Sequence, residues 1–203
     1  TQSRSELVPL EISCQGQEQC LNYSHRLRQA RMTGSLDVSV MQLAFVPNSI
    51  ICLPQLTALN MTGNLLFLIP DAISGLHSLT EWSLNDNRLR EIPASVCKLT
   101  RLRDLSVMDN KLLSIAPEVG LITTLRRLQL ENNAKLKCPP VEVYSRGIQA
   151  TLSYLRSIMQ GISTGSIDLA SSSLSSLELP FDRLAVKLRA MQLSNNLLDE
   201  IPQ

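Results

Sequence analysis

The sequence predicts an α/β solenoid of horseshoe shape, with a parallel β-sheet on its concave face and an internal helical insertion. Three observations predict it. From Leu56 to Thr124 the chain divides without a gap into three 23-residue blocks: LTALNMTGNLLFLIPDAISGLHS, LTEWSLNDNRLREIPASVCKLTR and LRDLSVMDNKLLSIAPEVGLITT. Every block has apolar residues at its first, fourth, sixth, eleventh, fourteenth, eighteenth and twenty-first places, with Asn at the ninth. Further on, Thr164-Gly165-Ser166-Ile167-Asp168-Leu169 repeats Thr33-Gly34-Ser35-Leu36-Asp37-Val38 almost letter for letter, so the array starts a second time.

The spacing has a physical reading. Leu59 and Met61, Trp82 and Leu84, and Leu105 and Val107 alternate with polar residues as a strand with one buried face requires. Their outward neighbours are Asn60, Ser83 and Ser106. Each strand is too short to stand alone, and stacking the blocks merges the inward side chains into one core. Asn64, Asn87 and Asn110 then turn the chain away from the sheet, where a buried side-chain amide satisfies backbone groups the turn leaves unpaired. Ile69-Pro70 and Ile92-Pro93 open the return path, and Ile73, Leu76, Val96, Leu99, Val119 and Ile122 seal its inner side. The pattern is L-x-x-L-x-L-x-x-N-x-L, that of leucine-rich repeats.

Taken in order, residues 1–16 carry no periodicity and read as an arm. Residues 17–32 place Cys20, Tyr23, Leu27 and Ala30 on one face of a helix, which caps the open end of the stack. Residues 33–138 form a first array of about five repeats, the first of them atypical in having Met41 where Asn is expected. Residues 139–163 switch to helical spacing at Ile148, Leu152, Leu155 and Ile158 or Met159, an insertion expected to pack against repeat five. Residues 164–203 begin a second array and stop in the middle of a repeat, as a fragment of a longer protein would.

Composition narrows the function. Nineteen basic against eighteen acidic residues leave no electrostatic footprint for nucleic acid, and no apolar run approaches the roughly 18 residues of a membrane-spanning helix, so neither nucleic-acid binding nor membrane insertion is expected. Five cysteines do not make a disulfide framework. Cys138 occupies the place of Ile69, Ile92 and Ile115 and reads as a small core residue, while Cys14 and Cys20 have the spacing for a local bridge. Sparse cysteine usage favours a cytoplasmic protein, although Asn22-Tyr23-Ser24 and Asn60-Met61-Thr62 are glycosylation sequons. Catalysis is not expected: His25 and His77 read as solvated surface residues, Trp82 as core packing, and no metal-ligand spacing or cofactor motif is present, so metal and cofactors are both none.

The 23-residue block with its Ile-Pro step resembles the Ras-group intracellular leucine-rich-repeat proteins of animals and plants. Within that group the layout is similar to members with an opening of the form A-R-x-[ST]-G-x-L-x-[LV]-S, matched by Ala30 to Ser39, and an interrupting segment matched by Gly147, Leu152 and Tyr154-Leu155-Arg156. The resemblance implies a scaffold, with a small GTPase or a phosphatase as the class of partner.

The function expected is therefore a non-catalytic scaffold or adaptor that binds another protein on the concave face. The alternative is the sensing or targeting arm of a larger enzyme or signalling protein. Outward places that align across repeats give the candidate residues: Glu81, Asn85, Asp86, Arg103, Asp104, Met108, Asp109, Arg126, Arg127, Gln129 and Glu131. They make one edge of the sheet acidic while the other turns basic toward repeat five, and Met108 offers an adaptable apolar contact.

Overall fold

The computed structural model describes residues 8–177 and 188–198. Five three-residue strands form one parallel sheet in the order of the chain: β1 (Ser35–Asp37), β2 (Ala58–Asn60), β3 (Glu81–Ser83), β5 (Asp104–Ser106) and β7 (Arg127–Gln129). The register is constant, Ala58 beside Glu81 beside Asp104 beside Arg127, which is the 23-residue block written in hydrogen bonds. A second, two-stranded parallel sheet joins β4 (Glu91–Ile92) to β6 (Ser114–Ile115) where the chain starts its return. A helical turn, α3 (Asn48–Ile51), and single 3-10 turns at Asp71–Gly75, Ala94–Lys98 and Pro117–Leu121 complete the circuits.

The asparagines hold successive circuits together. Asn64 Oδ1 accepts from the backbone of Met41 and Leu43, both at 3.0 Å, while its Nδ2 donates to the carbonyls of Val38 and Met61. Asn87, Asn110 and Asn133 repeat the arrangement, each spanning to the preceding repeat. Every one is buried, and a carbon side chain there would leave several backbone groups without partners. Between them the core is a column of stacked Leu, Ile and Val with Trp82 inside it.

At the open end α2 (Gln17–Thr33) lays Tyr23, Leu27 and Ala30 on the first circuit, and the Tyr23 hydroxyl bonds to the buried Ser49 hydroxyl at 2.7 Å. The segment before it is more than an arm. α1 (Leu10–Ser13) is a helical turn that inserts Ile12, 1% exposed, into the core, and Gln15 Nε2 donates to the Met41 carbonyl at 3.1 Å. Two apolar side chains in four residues, Leu10 exposed and Ile12 buried, carry no helical period, so the sequence signal is too short to register. All five cysteines are free thiols, Cys14 and Cys20 included.

The helical insertion is α4 (Val141–Tyr144) and α5 (Ile148–Thr164), and it packs mainly on the Pro117–Leu121 turn of repeat four, while the start of α5 shares a cleft with Leu125 and Arg126 of repeat five. Repeat five has no return turn of its own, because α4 and α5 take that place. Contact is close: Arg156 Nε donates to the Gly120 carbonyl at 2.7 Å, and a Cβ on Gly120 would stand 2.9 Å from the Arg156 nitrogen. After α5 comes β8 (Ser166–Asp168), which pairs with β9 (Ala190–Gln192), and Asn196 bonds across to Ser172, Leu174 and Leu169 just as the first-array asparagines do. Here the repeat is one residue longer, since Ser166 pairs with Ala190.

The two array starts match far beyond the six letters that betray them. α1, α2 and β1 correspond to α4, α5 and β8 end for end at a displacement of 131 residues. Gly16 and Gly147 precede the long helices with φ of 107° and 95°, and Gly34 and Gly165 end them in the left-handed region at 73° and 79°, a conformation only glycine adopts at no steric cost. Tyr23 and Tyr154 hold the same buried place. The insertion is therefore built as a second cap, shared between the arrays.

Candidate functional site

Two columns of side chains stand on the sheet face, Ser35-Ala58-Glu81-Asp104-Arg127 and Asp37-Asn60-Ser83-Ser106-Gln129. They line an open cavity of about 490 Å³. The ladder continues past the strands, with Asp86 N donating to the Met108 carbonyl and Asp109 N to that of Glu131, both at 3.1 Å. This carries Thr62, Asn85, Met108 and Glu131, and then Gly63, Asp86, Asp109 and Asn132, across successive repeats in register.

Asp86 and Asp109 both have φ of 53° and Asn132 has 61°. The left-handed turn explains why Asp, Asn and Gly share this place: their short polar side chains, or none, tolerate it. It also fixes the carboxylates at the rim, where both are exposed together with Glu131, while Glu81 is exposed within the cavity. Asn132 Nδ2 donates to Asp109 Oδ1 at 2.8 Å and orients that carboxylate.

Other predicted site residues are occupied differently. Asn85 Oδ1 is consumed inside the protein, accepting from the Ser106 hydroxyl at 2.6 Å and from Met108 N at 2.9 Å. Ser106, expected to face outward, is buried beneath it. Asp104 is half-buried and pairs with Arg127 at 3.5 Å, so these two largely neutralise one another. Met108 and Gln129 are half-buried. Arg103 and Arg126 stand apart at the opposite edge, both exposed, on a separate cleft of about 480 Å³ with Thr123, Thr124 and the start of α5. Thr57 and Thr80, which precede them in that row, donate their hydroxyls to the carbonyls of Gly34 and Thr57.

Asp37 is a sheet-face acid that the repeat alignment missed. It lines the cavity, takes a 2.8 Å bond from Ser39 N and faces Arg26 at 3.9 Å. Burial pushes its carboxyl up, but the Ser39 bond and the Arg26 charge outweigh that and hold it below the usual range. A signal was available, since the same Asp recurs in both Thr-Gly-Ser starts.

Among the described residues no group of three or more His, Cys, Asp and Glu converges as a metal site, and no helix is long and apolar enough to cross a membrane.

No protein-family model and no curated protein matches the chain. Solved structures do. The chain is similar to a protein of the BIR3–SERK2 complex from Arabidopsis thaliana, 36% identical over 47% of this chain and 54% of that one, with a TM-score of 0.44. It is similar to the leucine-rich-repeat ectodomain of the receptor kinase SOBIR1 from Arabidopsis thaliana, 27% identical over 55% and 64% of the two chains, TM-score 0.46. A leucine-rich-repeat protein of Leptospira interrogans is 21% identical over 87% of this chain and 47% of its own, TM-score 0.45. The chain spans about half the length of the BIR3–SERK2 protein and of the Leptospira protein to which it is similar. With strands in constant register, a buried asparagine in each turn and an apolar column between them, the fold is that of a leucine-rich-repeat solenoid.

Proposed function

We propose that this chain is a non-catalytic scaffold that receives a basic surface of another protein on its sheet face, along the acidic rim formed by Asp86, Asp109 and Glu131, with Glu81 inside the cavity. The observation that carries the reading is the repetition of an exposed carboxylate at the same left-handed turn place in adjacent repeats. Strands lie roughly 4.8 Å apart, so the rim presents charges at a spacing that an extended basic segment or the side of a helix can meet. Asp104 and Arg127, paired with each other, add shape more than charge. Met108 supplies an adaptable apolar patch beside the carboxylates.

By resemblance to the Ras-group intracellular proteins, the partner class is a small GTPase or a phosphatase, and the compartment is the cytoplasm. Free thiols at the exposed Cys14 and Cys52 suit a reducing compartment.

The test is affinity capture by the full chain and by the triple variant D86N/D109N/E131Q. Asparagine is chosen because a longer side chain would strain the left-handed backbone at Asp86 and Asp109. The expected result is a partner whose binding weakens with salt and falls at least tenfold in the variant, with thermal stability unchanged. Equal capture by both forms overturns the reading.

A further inference from the structure

The two caps differ in one place that bears on binding. In the first, the Arg26 guanidinium fills the space between α2 and β1: Nη1 donates to the Asp37 carbonyl at 2.8 Å and lies 3.9 Å from its carboxylate, while Nε donates to Asn22 Oδ1 at 3.0 Å. In the second, Ser157 stands where Arg26 does, Ser153 replaces Asn22 and Ala150 replaces Gln19. The acid is kept. Asp168 accepts from Ala170 N at 3.0 Å, as Asp37 accepts from Ser39 N, and both acids are exposed, but among the described residues no cation pairs with Asp168.

The arginine and the asparagine that it bonds have thus both become serines beside a retained carboxylate. The result is a polar cleft of about 270 Å³ whose lining includes Ser153, Ser157, Asp168, Ser171 and Ser172. Arg146, the cation at its edge, is turned elsewhere, its Nη1 donating to the Ser171 carbonyl at 3.2 Å and the Ser173 hydroxyl at 3.4 Å.

We propose that this cleft is a binding subsite for a guanidinium group, brought by an arginine side chain of a partner protein. The first cap shows the occupied state of the same frame, with the arginine supplied from within. Its acceptors are a backbone carbonyl and a carboxylate from one strand, and the second cap adds serine hydroxyls. A planar fork of several donors satisfies such a set, whereas a lysine ammonium concentrates its charge at one point and reaches fewer of them. The subsite lies on the second array and does not depend on the acidic rim of the first.

The test is a titration of the isotopically labelled full chain with N-acetyl-arginine methylamide, followed by nuclear magnetic resonance at the amides of Ser157, Asp168 and Ala170. Saturable shifts are expected, weakened at least tenfold in D168N and in S157R, which restores the arginine of the first cap, and unchanged in D37N. The citrulline analogue, isosteric but neutral, is expected to give no saturable shift, and the lysine analogue a weaker one. Shifts that never saturate overturn the proposal, as do shifts that persist in S157R, or equal binding of the citrulline or lysine analogue.

Discussion

Single side chains set both the fold and its response to pH. The asparagines at the ninth place were legible because one residue type recurs at one spacing and a buried amide has an evident use there. Asn85 was not legible as a structural residue. At the seventh place it looks like any outward polar strand residue, and its partner, Ser106, belongs to the next repeat. Tyr23 gives a prediction at this scale. Burial pushes its hydroxyl up to about 12, against a smaller lowering by the Ser49 bond. Between about pH 10 and 12 the unfolded chain loses this proton while the folded chain keeps it, so the folded state loses stability as pH rises through that window. The loss is on the order of 2–3 kcal/mol. Urea midpoints measured from pH 8 to 12 check it: Y23F is expected to flatten the slope while costing about 1 kcal/mol at neutral pH, through the hydrogen bond lost at Ser49. Cys138, whose thiol burial pushes up to about 12, leaves a residual slope in that variant.

The cap is the element that sequence patterning described least well. Its helical period in residues 139–163 was plain, but its kinship with the first cap was hidden, because α5 buries a side that α2 leaves partly in solvent. Leu152 and Leu155 are buried on α5, while Leu21 and Ser24 at the matching places of α2 are exposed and half-buried. What the copies share is the close approach of helix to strand. Gly161 sits over Ile167 in the second cap, and Ala30 and Leu36 hold the equivalent places in the first. A Cβ on Gly161 would meet Ile167 Cγ1 well inside contact distance and Cδ1 at 2.8 Å. Helix propensity favours G161A by up to about 1 kcal/mol, yet overpacking costs about 1–3 kcal/mol and wins. The double variant G161A/I167L recreates the pair of the first cap. It is expected to recover most of the loss, giving a coupling energy of about 1 kcal/mol or more in a denaturation cycle. Additive effects would show that the close approach is not what selects glycine.

At the scale of the whole molecule, the constant register and the run of repeats were readable because a solenoid is a local code written many times. How the arrays join was not readable, since that depends on one helix serving two neighbours. α5 buries Leu155 beside Gly120 on the first array and lays Tyr154, Ile158 and Gly161 toward β8 of the second. Stability in such a stack is a sum of unit terms and interface terms, so the arrays unfold together only while the interface through α5 is strong. Leu155→Ser places on α5 the residue that α2 carries at Ser24, a change that leaves the face toward β8 untouched. Removing a fully buried leucine costs about 2–5 kcal/mol, all of it at the junction with the first array. Hydrogen exchange under mild denaturant is expected to show one protection class across Leu105, Leu128 and Ile167 in the parent chain and two in the variant, with Ile167 separating from the others. If the variant loses stability uniformly and keeps a single class, α5 is not the joint, and the arrays are coupled through the strand layer instead.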